Sequence, residues 1–484
     1  MSAMRLSLFL GLLIGPGLMA LASCGCGPGA SDEGAVASRI ERIDQSLLSA
    51  ARFLVERQDA DGAWRSDQYA PFRDGTALTP LVVNSLRCVA EVPEFTAAYE
   101  KGSDYLARLA KPDGTIDEGP HGLSYPVYTS SLAVRVLSEP ANERHRAARD
   151  AWLKYLRGRQ MTEELGWRPE DKEYGGWGYS IPLPKKPRPG ALTLPVDANL
   201  SATVFALTAL RAAGCAAEDP AFSKALTFVK RRQNFCDDPA LRDPAFDDGG
   251  FYFIYDDGAR NKAGPAGKDR AGRDRFHSYG STTADGVRGL LACGVPAGDP
   301  RLEAARHWLE AQFRADRHPG TYLEAREGLR NSVYYYYAWS LAEAARSLGK
   351  GKIHLMDGEL RSAEALADEL IRRQAEGGSW TNPAGAQRED DPVVATSMAV
   401  SALAICRTAN TMQFGSGASA ASKVSLNSRS DASMSCRLGR FTPNSVVYRA
   451  RSSSWNVGQS AVRCAIAAAS RPHPARTTAS TSSG

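Results

Sequence analysis

The segment Ala51–Trp64 reads ARFLVERQDADGAW, a helical run that ends on Gln58 and is followed by Gly62 and Trp64. The same order returns over residues 365–380 as ALADELIRRQAEGGSW, with an equal spacing from glutamine to tryptophan. Weaker copies between them also end on a glutamine: Gln160, Gln233 and Gln312. One further copy, KGSDYLARLAKPDGTI, keeps the glycine turn without the glutamine. Recurrence of one unit along a chain indicates a repeat architecture.

A second kind of helix is predicted after each turn, and its six copies align without gaps over nine residues. They occupy 78–86, 129–137, 202–210, 282–290, 334–342 and 395–403. The second position always carries a hydroxyl: Thr79, Ser130, Thr203, Thr283, Tyr335 and Thr396. The fifth position is Ala or Gly in five copies, which lets neighbouring helices approach closely. These helices are mostly apolar and the glutamine-bearing ones are charged on one face, so the pattern predicts an inner ring inside an outer ring.

The order helix, Gln, Gly, Trp resembles the QW repeat of squalene-hopene cyclases, oxidosqualene cyclases and protein prenyltransferase beta subunits. The resemblance covers about residues 40–409 and implies an all-α (α/α)6 toroid of six repeats. It also implies that the glutamine and tryptophan side chains tie each outer helix to the next repeat. The motif is then structural, and it indicates the fold more specifically than the activity.

Composition is that of a chain able to bury a large core, with 484 residues of which 43% are hydrophobic and 23% charged. The segment 1–23 carries one basic residue before an interrupted apolar run, as in a secretory signal peptide. It ends Leu-Ala-Ser-Cys24, which resembles a bacterial lipobox. We therefore expect an exported protein of the cell envelope, held on the membrane by a lipid on Cys24, with residues 24–39 as a tether. Ordinary signal cleavage nearby is the alternative.

The last segment, 410–484, differs in composition from the rest of the chain. It is rich in Ser, Ala and Arg and carries nine Lys or Arg residues against the single acid Asp431. Such a segment is predicted to be disordered. It lacks the aromatic spacing of a nucleic-acid-binding motif, so no nucleic-acid partner is expected.

The resemblance to terpenoid cyclases supplies a test for catalytic motifs. An Asp-x-Asp-Asp motif, whose central acid protonates the substrate in class II cyclases, does not occur in the sequence. The Asp-x-Cys arrangement of the prenyltransferase zinc site is also missing, so neither a metal nor another cofactor is expected. The nearest match to Asp-x-Asp-Asp is Glu389-Asp390-Asp391, directly before Pro392. An aspartate before proline favours a helix N-cap over proton donation.

One inner helix carries a carboxylate where the other copies are apolar. Asp285 occupies the fourth position of TTADGVRGL, and a charge on an apolar helix face is costly unless it is paired. It is either a catalytic acid or the partner of Arg288, three residues on. His277 and Tyr279 lie just upstream and are candidates for proton transfer and ligand binding, while a solvated loop histidine is the alternative.

Aromatic residues dominate another inner helix, where four tyrosines precede Ala338 and Trp339. They cannot all face one way, so one or two should line a central cavity while the others pack between the rings. We predict that Tyr334, Tyr337 and Trp339, together with Tyr279, contact a ligand. Aromatic faces suit a carbocation, an apolar polyene or a sugar, and plain core packing is the alternative.

Two function hypotheses follow. The first is a cavity for an apolar, isoprenoid-type small molecule; were it an enzyme, it would be a terpene cyclase, an isomerase or prenyltransferase-like. The second is a non-catalytic envelope toroid that binds a peptide or glycan partner. Polysaccharide cleavage is a third option, because sugar-degrading enzymes also use α/α toroids. Fold alone does not choose among them.

Overall fold

The computed structural model describes residues 29–188, 196–255, 257–348 and 361–417. The predicted signal segment with Cys24 lies outside the described residues, as does the basic tail beyond residue 417. Six helices form the outer set: α1 Gly29–Val55, α3 Pro93–Arg108, α5 Arg146–Arg157, α7 Pro220–Lys230, α9 Pro300–Gln312 and α11 Arg361–Arg373. Six form the inner set: α2 Leu78–Leu86, α4 Pro126–Leu137, α6 Leu200–Ala212, α8 Gly280–Ala292, α10 Tyr334–Leu348 and α12 Pro392–Gly417.

The inner helices close into a ring. Along the chain, α2 packs on α4, α4 on α6, α6 on α8, α8 on α10 and α10 on α12, and α12 packs back on α2. Outer helices α1, α3, α5, α7, α9 and α11 cover this ring, and α1 contacts both α11 and α12. The all-α toroid predicted from the sequence is confirmed. Each inner helix follows an outer one, so all six inner helices run in parallel and begin at the same end, which we call the mouth.

Short strands occur only in connections that lead to the mouth, among the described residues. Strand β1 Trp177–Gly178 pairs antiparallel with β2 Ala198–Asn199, and β3 Pro265–Lys268 pairs with β4 Asp274–Phe276. They stiffen the two longest connections between an outer and an inner helix. The opposite end of the toroid carries shorter turns, and there the outer helices α7 and α9 start on an aspartate cap followed by proline. Asp219 accepts from Ala221 N at 3.0 Å and Asp299 from Arg301 N at 2.8 Å.

The repeated glutamines join neighbouring repeats. Gln58 Nε2 donates to Gly62 O of its own turn and to Ala98 O of α3, at 3.0 and 2.9 Å. Gln160, Gln233 and Gln374 make the corresponding pair of bonds to their own turn and to α7, α9 and α1. Because each amide bonds two backbone carbonyls from different repeats, it fixes the turn and the next outer helix together.

The tryptophan of the unit returns to the helix that precedes it. Trp64, Trp177 and Trp380 each donate an indole N–H to the carbonyl four residues before the glutamine, at 2.6 to 2.9 Å. Their backbone N–H groups donate to the hydroxyls of Thr79, Thr203 and Thr396, and Phe251 N bonds Thr283 in the same way. The second position of the aligned inner helices, which always carries a hydroxyl, therefore faces the outer ring.

The second repeat, which lacks both the glutamine and the tryptophan, satisfies the corresponding carbonyl with a different side chain. Ile116 stands where the tryptophan would be and cannot donate to Leu106 O. Trp152 of the following outer helix donates to that carbonyl at 2.9 Å. The position in the repeat is thus satisfied by a side chain from the next unit.

One described helix is long and apolar enough to cross a membrane. The stretch Pro392–Ala409 of α12 has this length and hydropathy, and 67% of it is buried inside the toroid. Its place in the inner ring accounts for the composition. The cysteines Cys88 and Cys293 are free thiols that pack against the core, and burial raises the pKa of each to about 12.

Candidate functional site

Side chains from three inner helices meet at Asp285, which lies in the second turn of α8. Ser201 of α6 and Tyr336 of α10 contact each other through their hydroxyls, although α6 and α10 are separated by α8. This contact is possible only on the side of α8 that faces the axis of the ring. We call the space along this axis the lumen, and Asp285 lies in it.

Both oxygens of Asp285 accept hydrogen bonds. Oδ1 accepts from Arg288 Nη1 at 2.8 Å and from Ser340 Oγ at 2.7 Å. Oδ2 accepts from Ser201 Oγ at 3.0 Å and from the hydroxyl of Tyr336. The carboxylate is completely buried, as is the guanidinium of Arg288. Three hydroxyls and the Arg288 guanidinium therefore occupy both carboxylate oxygens.

Aromatic rings line the lumen between Asp285 and the mouth. We call Phe72, Tyr125, Tyr128, Tyr179 and Phe205 the mouth cluster. Tyr125 contacts the rings of Phe72, Tyr128 and Tyr179 at centroid distances of 6.3 to 6.4 Å. Tyr128 of α4 meets Phe205 of α6 edge to face at 5.1 Å. Such edge-to-face pairs stabilise by about 1 kcal/mol each beyond the burial of their surface.

The mouth cluster is continuous with the Asp285 network. Burial, then Asp285 and Tyr179, raise the pKa of Tyr336 well above its usual range. The lumen side chains are closely packed: Phe205 and Asp285 are 0% exposed, and Tyr128 and Tyr336 are 2% and 3% exposed. These side chains therefore expose almost no surface to the lumen.

Two residues with a strained backbone, Tyr125 and Arg388, contact each other at the mouth. Tyr125 and Arg388 are the non-glycine residues with positive φ in the described chain, at 52° and 67°. The Arg388 guanidinium carbon lies 5.2 Å from the centre of the Tyr125 ring, 5.1 Å from Tyr69 and 5.5 Å from Phe72. A left-handed conformation costs about 1 to 2 kcal/mol for a residue with a side chain. Cation–π attraction to three rings offsets part of this strain.

Of the two acids directly before α12, Asp391 serves as the helix cap. Asp391 Oδ1 accepts from Val393 N at 2.9 Å, which is the N-cap arrangement with proline at the first helical position. Asp390 accepts from the Tyr69 hydroxyl at 2.7 Å and from Gln68 Nε2 at 2.8 Å.

Glu389 caps a different helix. Its two oxygens accept from Tyr335 N and Tyr336 N at the start of α10, at 3.0 and 2.8 Å, and one also accepts from Asn382 Nδ2. Burial raises the pKa of Glu389 to about 7 although these three donors oppose the shift. In the sequence, Glu389 is distinguished only by its place in an acidic triplet.

A histidine caps α8 in a comparable way. His318 Nε2 accepts from Ser281 N at 2.8 Å, so the proton lies on Nδ1, which faces Arg330 O at 3.1 Å. The ring stacks on Tyr337 at 4.9 Å. Burial lowers the pKa of His318 to about 3, and nearby Lys262 adds to the shift, so the imidazole is neutral at physiological pH.

Charged groups close the opposite end of the lumen, where the inner helices end. Arg346 pairs with Glu343 at 2.5 Å, and Arg87 pairs with Glu139. Arg135 lies among them: burial lowers its pKa well below the usual range, Arg87 adds to the effect, and the two glutamates oppose it. Arginines at helix C-termini are favoured by the helix dipole. The lumen is therefore aromatic at the mouth and ionic at its floor.

The residues predicted as site residues are dispersed. Asp285 lies in the lumen. His277 is a half-buried loop residue near Asp248, and burial lowers its pKa. Tyr279 precedes α8 and contacts the rings of His318 and Tyr322. Tyr334 and Tyr337 donate to Ala315 O and Arg314 O of a connection outside the lumen. Trp339 is buried in the core.

Tyr336, in contrast, is the member of the tyrosine run that reaches the lumen. The sequence argument selects Tyr334 and Tyr337 from the four tyrosines, and the structure places Tyr336 against Asp285. A signal for the lumen was present in the aligned inner helices. Their seventh position is polar in all six copies: Asn84, Arg135, Thr208, Arg288, Ser340 and Ser401. All six are buried. Polar residues at one buried position of otherwise apolar helices indicate a shared polar space.

Histidine, cysteine and acidic side chains form no group of three that could hold a metal ion in the part of the chain that the structure describes.

No protein-family model and no curated protein matches the chain. Among solved structures, the chain is similar to the type II terpene cyclase MstE from Scytonema, with 14% identity, a TM-score of 0.46, and coverage of 75% of this chain and 98% of the other. A structure of that cyclase holds geranylgeranyl dihydroxybenzoate. A protein from Actinoplanes gives 16% identity, a TM-score of 0.44 and coverage of 76% and 99%. A glycosidase in complex with glucose gives 12%, 0.42, 76% and 98%.

Proposed function

We propose that this toroid binds an apolar small molecule of isoprenoid type in its lumen, between the rings of the mouth cluster. The observation that carries the proposal is the chain of contacts Phe72–Tyr125–Tyr128–Phe205, which leads from the entrance to the axis of the ring. Burial of hydrocarbon against such rings is worth about 0.8 kcal/mol for each CH₂ group, or roughly 4 kcal/mol for a five-carbon unit.

Ligand entry requires the rings to move, since their surfaces are buried. The hydroxyls of Tyr125 and Tyr128 are buried without a hydrogen-bond partner among the described residues. Ring contacts therefore hold both side chains, and rotation breaks no side-chain hydrogen bond. The strained pair Tyr125 and Arg388 stands at the entrance, where a change of backbone conformation would release strain.

Binding is better supported than acid catalysis. Protonation of an alkene needs a protonated acid that faces the substrate. Asp285 faces the lumen, but the Arg288 guanidinium and three hydroxyls occupy both of its oxygens. Glu389 has a raised pKa, but both of its oxygens are bonded to the start of α10. We therefore propose a binding protein.

We also propose a protein family and a cellular location for the chain. The glutamine and tryptophan bonds between successive helices support assignment to the QW-repeat family, in which these side chains have that role. The lipobox-like sequence before Cys24 supports an exported protein anchored to the membrane by lipid. Replacement Cys24→Ser should then move the protein from the membrane fraction to the soluble fraction, and an unchanged distribution would contradict the anchor.

A specific observation favours the envelope-partner alternative as well. Ile181 and Leu183 are 44% and 45% exposed on the connection that follows Tyr179, and Arg159 bonds the carbonyls of residues 180–182. This ordered apolar rim could contact a peptide or glycan partner. If it does, the double variant Ile181→Ser and Leu183→Ser should lose the partner and retain small-molecule binding.

The test of the proposed function is isothermal titration with farnesol, comparing Phe205→Ala with Phe222→Ala. Both remove a buried ring, but Phe222 lies on the outer helix α7, under Arg211. We expect at least tenfold weaker binding for Phe205→Ala and unchanged binding for Phe222→Ala, since only Phe205 faces the ligand. Equal effects of the two variants, or no binding to the parent protein, would contradict the proposal.

A further inference from the structure

Buried polar atoms without partners collect on one side of the lumen. The Tyr125 and Tyr128 hydroxyls, Ser131 Oγ and Asn84 Oδ1 are all buried and have no hydrogen-bond partner among the described residues. Folded proteins satisfy roughly nine in ten buried polar groups. Each exception is expected to destabilise the protein unless something else supplies its partner. Four exceptions on α2, α4 and the residue before α4 therefore call for an explanation.

These atoms lie at successive depths. Tyr125 precedes α4, Tyr128 is in its first turn and Ser131 is one turn further on, so the last two share a side of the helix. Asn84 lies on the neighbouring helix α2, which packs on α4. Tyr128 and Ser131 are 2% and 0% exposed, and Asn84 is 4% exposed. The atoms thus form a polar track from the mouth cluster toward the floor.

We propose that this track is a subsite for a neutral oxygen-bearing end of the ligand, an alcohol or a carbonyl group, with Tyr128 and Ser131 as its hydrogen-bonding residues. The inference rests on the proposed binding of an isoprenoid-type molecule and adds which isoprenoids bind. The rings of the mouth cluster cover the hydrocarbon part, while the two hydroxyls donate to or accept from the oxygen. Asn84 Oδ1 lies deeper and can accept from a ligand hydroxyl.

The chemistry of the track is that of a neutral group. Hydroxyls and one amide oxygen line it, and a carbonyl-type acceptor such as Asn84 Oδ1 repels an anion. Four arginines lie near the floor: Arg87 pairs with Glu139, Arg288 with Asp285 and Arg346 with Glu343, while Arg135 lies near Glu343 and Glu139. A diphosphate would have to compete with these carboxylates, whereas an alcohol would not.

The test uses farnesol and the hydrocarbon β-farnesene, which share a skeleton and differ in the oxygen. The double variant Tyr128→Phe and Ser131→Ala removes both hydroxyls with little change in volume. Ser130→Ala is the matched control, because the Ser130 hydroxyl is bonded to Pro126 O at 2.6 Å. We expect the parent protein and the control to prefer farnesol by about tenfold, and the double variant to bind the two ligands almost equally.

A second readout requires no ligand. Loss of hydroxyls that have no partner should leave the thermal midpoint unchanged or raise it, whereas Ser130→Ala should not raise it. An unchanged preference for farnesol in the double variant would overturn the subsite while leaving the proposed function intact. A lowered midpoint in the double variant would show that the hydroxyls already have partners and would also overturn the subsite. Binding of neither ligand to the parent protein would overturn both proposals.

Discussion

Gln374 and Ser46 are hydrogen bonded in both directions across the seam between the last and the first outer helix. Ser46 Oγ donates to Gln374 Oε1 at 2.6 Å, and Gln374 Nε2 donates to Ser46 O at 3.0 Å. The two residues are separated by most of the toroid in sequence. This pair closes the ring of outer helices together with the ion pairs that Asp368 makes with Arg39 and Arg42, and the same glutamine also bonds its own turn at Gly378 O.

Replacement Gln374→Ala should open this seam. It removes three hydrogen bonds from a partly buried site, for an expected loss of about 2 kcal/mol in the free energy of unfolding. Urea denaturation measures the loss. Gln312→Ala is the matched control, because Gln312 ends the equivalent helix of another repeat but is exposed. Equal losses for the two variants would show that the closing pair contributes nothing.

Close approach at the same seam gives a second prediction. Gly378 has φ 82°, and a Cβ there would lie 2.5 Å from Ser49 O of α1. Gly378→Ala should therefore destabilise by more than about 2 kcal/mol, because a backbone atom would have to shift. Gly114→Ala is the control: its φ is 76°, but a Cβ would meet nothing within 4 Å.

The control at Gly114 separates strain from contact. In Gly114→Ala only the left-handed backbone conformation is unfavourable, and it lowers the stability by about 1 to 2 kcal/mol. The difference in thermal midpoint between the two variants then measures the contact of the turn with α1. A loss at Gly114 as large as at Gly378 would mean that the turns of the repeats are not packed on the next outer helix.

The lumen ion pair gives a third prediction. Asp285→Asn leaves the Arg288 guanidinium buried without its carboxylate and should cost about 3 to 5 kcal/mol. The double variant Asp285→Asn with Arg288→Met removes the charge as well and should recover much of the loss. Denaturant titration of the two variants measures the coupling. Should the double variant be less stable than the single one, Asp285 does not act mainly as the partner of Arg288.

Glu389 gives a prediction for pH. Its folded pKa, about 7, is above the usual carboxyl value of about 4.5. The folded state therefore binds more protons than the unfolded state between these values, so its contribution to stability is present below pH 4.5. It is lost as pH rises to 7, by about 3 kcal/mol in total. The stability difference between the parent protein and Glu389→Gln should fall over this range and level off above it.

Comparison with the variant is needed because His318 acts in the opposite direction. Its pKa is lowered to about 3, so its contribution is complete above about pH 6.5 and is lost as pH falls. Both proteins keep His318, so its effect cancels in the difference. A difference that is flat between pH 4.5 and 7 would contradict the raised pKa of Glu389.

The sequence predicts the toroid well because its repeats rest on local chemistry. A glutamine amide bonds two carbonyls, a tryptophan N–H bonds one, and each lies at a fixed distance along the chain. Thr79, Thr203 and Thr396 could be aligned for the same reason. Their hydroxyls accept from the backbone N–H groups of the tryptophans, and this role became clear only from the structure.

The lumen is less predictable because it depends on residues far apart in sequence. Tyr336 reaches Asp285 by the rotation of α10, which the run of four identical side chains hides. Tyr125 and Tyr179 come from connections without a repeat pattern. The raised pKa of Glu389 results from burial against α10, a helix more than 40 residues away in sequence. Only the polar seventh position of the inner helices carried a visible signal.

Photolabelling with a farnesol analogue that carries a diazirine at its hydrocarbon end would test lumen binding most directly. We predict labelled peptides from α4, α6 and α10, the inner helices that carry Tyr128, Phe205 and Tyr336, and loss of this labelling when unmodified farnesol is in excess. Labelling confined to the outer helices or to the rim at Ile181 and Leu183, or labelling that farnesol does not suppress, would contradict the account.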